Sequence, residues 1–97
     1  MFYRWDDIDV PEINPFGYVN IHPNPSEGIF TVSVLSEQPQ EIRIIIHDIL
    51  GNEVINRSYP SAKQMNIPFD LHGYPKGIYL VSVISANGSV VKKIMIR

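Results

Sequence analysis

The chain has 97 residues, 44% hydrophobic and 19% charged, with a formal net charge of −2: enough for one globular domain with a modest core. That balance gives no basic field for nucleic acid, and Lys92, Lys93 and Arg97 are only a local cationic cluster. With no cysteine there is neither a disulfide nor a thiolate metal site, and no apolar run reaches the roughly 18 residues of a membrane-spanning helix, so membrane insertion is not expected.

Residues 1–17, MFYRWDDIDVPEINPFG, are acidic, aromatic and twice broken by proline, and read as a linker or leader ahead of a domain at 18–97. They lack the basic start and apolar stretch of a secretory signal peptide. From Tyr18 the pattern changes to strands. The first ends in HPNPSEG, where Pro23 and Pro25 remove two amide donors and are expected to set an extended path through Asn24. Gly28 then permits a left-handed turn that starts the next strand in register. GIFTVSVL alternates Phe30, Val32 and Val34 against Thr31 and Ser33, a half-buried strand. EIRIIIHD puts Ile42, Ile44 and Ile46 on one face, with Ile45 an apolar exception on the polar one.

DILGN reads as a tight connection with Gly51 or Asn52 at positive φ, and EVINRSY as a strand of weaker alternation. After Pro60–Ser61, Met65, Ile67, Phe69 and Leu71 share a face, and Pro68 marks an edge strand because it has no amide to donate. GIYLVSVIS is apolar on both faces for most of its length, as a central strand is. ANGS reads as a two-residue Asn-Gly hairpin turn that delivers VVKKIMI as the last strand. Helix signal is close to nil, since eight prolines and six glycines interrupt any 3.6-residue stripe. The expectation is all-β: an immunoglobulin-like β-sandwich of about seven antiparallel strands, with a small open barrel as the alternative.

Chemistry is sparse. His22, His47 and His72 lie about 25 residues apart on different turns or strands, which does not make a zinc site. Asp6, Asp7 and Asp9 lack the glycine and the bidentate glutamate of a calcium loop. Asp48 beside Gly51 is the usual turn aspartate that binds its own backbone amides. No pair of acids collects on one concave face, and no G-x-S-x-G elbow is present, so neither catalysis nor a cofactor is expected. A carbohydrate-binding or adhesion module of immunoglobulin-like form is the fairer rival. Tyr18, Tyr59 and Tyr74 are available to it, while Tyr79 keeps step with Val81 and Val83 and reads as core.

Four motifs in order over about 80 of the 97 residues carry a resemblance. They are Pro23-Asn24-Pro25 with Gly28; Asp48, Gly51 and Val54; Pro75, Gly77 and Tyr79; and Lys92-Lys93 followed by Ile94 and Ile96. Their order and spacing resemble the C-terminal sorting domain of the type IX secretion system, carried by exported proteins of Bacteroidetes. Two positions depart from that pattern: His22 stands where a tyrosine often precedes Pro-Asn-Pro, and Tyr74 where a leucine is common. The resemblance implies a non-catalytic address label on an N-terminal cargo. Its partners would be the outer-membrane translocon, shuttle proteins and a surface sortase that cuts within Asp9 to Val19. The route would run through the periplasm to the cell surface or beyond. If the outer edge of the last strand is open, it offers strand addition to the machinery or self-association between copies, with the lysines discouraging the latter.

Overall fold

The strands that begin at Ile29 and Glu53 run on through Pro39 and Pro60 instead of stopping at them. In the computed structural model, which describes residues 16–97, there are five strands. They are β1 (Tyr18–His22), β2 (Ile29–Asp48), β3 (Glu53–Asp70), β4 (Gly77–Ser85) and β5 (Gly88–Ile96). The leader reading of residues 1–15, and with it Asp6, Asp7 and Asp9, lies outside the described residues. Phe16 is buried in the core, and the Gly17 N–H donates to the Leu35 carbonyl at 2.8 Å, so the packed unit includes both.

The count of about seven strands is corrected to five, because β2 and β3 each combine two of the expected strands. Pro39 and Pro60 fall where the β2–β3 ladder shifts register, between Leu35↔Gln64, Gln40↔Ala62 and Ile42↔Tyr59. Both prolines are exposed, and each sits where a proline costs the ladder least. The strands bend there. A straight strand of 20 residues would reach about 65 Å, yet the longest dimension of the protein is 41 Å.

The bend curls one antiparallel sheet around its own core. Before it, β2 pairs with β1 on one side and with the last third of β3 on the other; after it, β4 takes the place of β1. β5 completes the order β1-β2-β4-β5, with β3 along the opposite side of β2. β4 is therefore central and β3 an edge strand, as their composition implied. The concave face is continuous across the bend. Phe30, Val32 and Val34 meet Ile42, Ile44 and Ile46, with Ile67, Phe69, Leu71, Val81, Val83, Ile94 and Ile96 filling the space between. Phe30 and Phe69 stack at 5.7 Å between ring centroids.

The β4–β5 hairpin departs by one residue from its expected turn. Ser85 pairs with Gly88, so Ala86 and Asn87 form the loop and Gly88 takes the positive φ of 141°. No non-glycine residue among those described has positive φ, so Asn87 is not in the mirror-image turn that Asn-Gly usually favours.

Candidate functional site

The first motif does not project from the fold; it closes it. The chain leaves β1 through HPNPSEG and lies along the outer edge of β5. The Asn24 Nδ2 donates to the Lys93 carbonyl (3.0 Å), and the Met95 N–H donates to Asn24 Oδ1 (3.2 Å). Two residues on, the Ser26 N–H donates to the Met95 carbonyl (2.8 Å) and the Arg97 N–H to the Ser26 carbonyl (2.9 Å). One amide side chain and one backbone unit thus stand in for a neighbouring strand over Lys93 to Arg97. The outer edge of β5 is covered over that stretch, so strand addition there, expected only if the edge were open, would first have to displace these bonds. The His22–Pro23 and Asn24–Pro25 peptide bonds are both cis, where an extended path was expected.

Ser26 is the residue that sequence reasoning missed. It is 1% exposed, its Oγ–H donates to the Ile29 carbonyl (2.8 Å), and its Oγ accepts the Gly28 N–H (2.9 Å). All its polar groups are used, which is what burial of a serine requires. The available signal was a small hydroxyl residue between a proline and a glycine in a dense turn. Gly28 has φ 123°, and a Cβ on it would lie 2.9 Å from the His72 Cα. Its carbonyl accepts the Leu71 N–H at 2.7 Å, so the turn packs directly on the backbone that follows β3.

The second and third motifs meet at a neighbouring turn. Asp48 Oδ1 accepts the N–H groups of Leu50 and Asn52, both at 2.9 Å, and Oδ2 accepts the Asn52 Nδ2 at 3.0 Å. Gly51, at φ 89°, donates back to the Asp48 carbonyl. These bonds, from the Asn52 side chain first and its backbone next, hold Asp48 below its ordinary carboxylate value. Asp48 pairs in register with Tyr79, whose ring is buried and whose hydroxyl donates to the Pro75 carbonyl. Burial pushes the Tyr79 pKa up, with the nearby Asp48 charge and Tyr74 adding to it. Val54 is half-buried against the core.

Leu71 joins the two motif pairs: it donates to Gly28 and accepts the Tyr74 N–H at 2.9 Å. The structure therefore brings Pro23, Asn24, Pro25 and Gly28 to Lys93, Ile94 and Ile96, and Asp48, Gly51 and Val54 to Pro75, Gly77 and Tyr79. Ile94 and Ile96 are core residues, while the Lys92 and Lys93 side chains are exposed. The histidines do not converge. His22 Nε2 lies 3.3 Å from Ser33 Oγ, which in turn donates to Asn66 Oδ1, and the His72 N–H donates to Asp70 Oδ1. Among the described residues no three histidine or acidic side chains gather in a metal-binding group.

The tyrosines named as a sugar platform are scattered: Tyr18 lies on β1, half-buried Tyr59 on β3 and Tyr74 before β4. Tyr59 lines an open cleft of about 530 Å³ at the Ser85–Asn87 end, whose other lining residues are not aromatic.

A family model described as the secretion system C-terminal sorting domain matches residues 20–97. The search of curated proteins returned no match.

Proposed function

The chain belongs to the secretion system C-terminal sorting domain family, and on that premise we propose that it is the non-catalytic address by which the type IX outer-membrane machinery recognises a cargo fused ahead of it. Membership by itself implies interaction with export machinery and delivery to the cell surface or outside. On this proposal the cargo crosses the periplasm, shuttle proteins and the translocon bind the tag, and a surface sortase then removes it. Phe16 and Val19 are packed in the core, which favours a cut before Phe16 within the stretch that starts at Asp9. We also read the curled sheet as an immunoglobulin-like two-layer sandwich, in which the bent halves of β2 and β3 supply four of seven strand segments.

One observation carries the proposal: four motifs spread over the chain converge on two turns joined through Leu71. Motifs that gather around one set of turns, anchored in the core by Tyr79, Ile94 and Ile96, give a partner a rigid surface to read. The test is export of a reporter carrying the full 97-residue chain at its C-terminus, in a host with the type IX machinery and in one lacking the translocon. Surface reporter in the first host only, shortened by the mass of the tag, is expected. Equal retention in both hosts, with retardation of the purified chain in glycan-containing gels, would replace this reading with the carbohydrate-binding one.

A further inference from the structure

Ile49 and Leu50 are 70% and 84% exposed, the highest values among the large hydrophobics of the described residues. A lone exposed leucine is ordinary. These two sit on a backbone fixed by the Asp48 side chain and by Gly51, and none of those bonds involves an Ile49 or Leu50 side chain. At these exposures the two side chains bury little area, so they contribute little to folding. The pair shares a cleft of about 270 Å³ with Tyr74, which is 44% exposed, and with Ile78. From Ile78 the apolar surface continues along the outer face of the hairpin. Ile78 lies opposite Met95 and Leu80 opposite Lys93, and alternate residues share a face. Met95 is 46% exposed and Leu80 38%. The outer face of the other half also exposes Tyr18, Ile29 and Leu35, but there a polar chain of His22, Ser33 and Asn66 lies among them.

Charge marks the same strip. Residues 71–97 contain Lys76, Lys92, Lys93 and Arg97 and no acid, in a chain whose net charge is −2, and of these Lys76 and Lys93 lie on the strip. Lys76 lines the cleft and Lys93 stands beside Leu80. Asp48 is the one acid lining the cleft, and its carboxylate is committed to its own turn.

We propose that this strip is the surface by which a protein of the export machinery grips the tag, with Ile49 and Leu50 entering an apolar recess that has an acidic rim. The proposal rests on the sorting role above. A rigid turn loses little conformational entropy on docking, so its apolar area converts to affinity with less loss than a mobile loop's would. Flanking lysines steer the encounter and disfavour apolar recesses with basic rims.

The experiment uses the same reporter fused to the full chain. Ile49→Ser with Leu50→Ser should lower surface reporter by roughly tenfold, the scale of losing one well-packed apolar anchor, while the purified chain melts as wild type does. Lys76→Glu with Lys93→Glu should also lower export, more so at low salt. Leu35→Ser removes an apolar residue 47% exposed on the other half and should export normally. Wild-type export by both double variants, or equal loss with Leu35→Ser, overturns the surface and leaves the sorting role standing. An effect of the serine pair alone overturns the acidic rim. Failure of the wild-type fusion to export overturns the sorting role, and this surface with it.

Discussion

At Gly28 two independent demands fall on one residue. Its φ of 123° is open only to glycine at low cost, and the His72 Cα leaves no space for a methyl group. Gly28→Ala should therefore destabilise the domain by about 2 kcal/mol or more, since backbone strain and overlap add. A lower urea midpoint with an unchanged slope would show it. Tyr79 gives a pH signature of the opposite kind. Burial disfavours its phenolate, so the unfolded chain ionises first as pH rises past 10.0. Stability from this group is intact below that value and lost as pH climbs toward the higher folded value. Tyr79→Phe should lack this alkaline limb and lose about 1 kcal/mol at neutral pH with the hydrogen bond to Pro75. Melting curves of both chains from pH 8 upward would separate them.

The elements gain their meaning from partners distant in sequence. β5 would be an edge strand over its whole length, but Asn24 and Ser26 occupy its outer side from Lys93 to Arg97. An edge so covered resists unwanted pairing. Asn24→Ala should leave the Met95 amide without its acceptor while the Arg97 amide keeps Ser26. Hydrogen exchange is expected to quicken at Met95 by roughly tenfold, about the effect of one lost hydrogen bond, with little change at Val81 in β4. Uniform acceleration at both sites would mean that Asn24 holds the whole fold and not this edge alone. β2 and β3 teach the complementary lesson. Prolines at Pro39 and Pro60 divide the apolar pattern as strand ends do, but here they mark a bend taken by two paired strands together.

For the molecule as a whole, the first and last motifs form one structure. Deleting residues 93–97 removes Ile94 and Ile96 from the core and the partners of Asn24 and Ser26 at one stroke. Loss of the cooperative calorimetric transition is expected, so such a deletion should abolish export by unfolding the tag. The serine substitutions at Ile49 and Leu50 should lower it roughly tenfold with the transition intact. A deletion mutant that melts cooperatively would show that the first motif does not depend on the last.

The amino-acid sequence by itself determined the all-β class, the central place of β4, the edge character of β3 and the self-bound turn at Asp48. Each follows from local physics: side-chain period, the missing amide of Pro68 and the reach of an aspartate to amides two and four residues on. Order and spacing of the motifs also sufficed to point to the family. Tertiary structure alone decided that seven apparent strands are five, that the hairpin loop is Ala86–Asn87, and that Asn24 reaches Lys93 and Met95 across some 70 residues of chain. It alone made Ser26 a buried junction and left Ile49 and Leu50 outside the core. Those outcomes depend on which edge lies beside which turn once the sheet curls, and a one-dimensional pattern of apolar and polar residues holds no record of that.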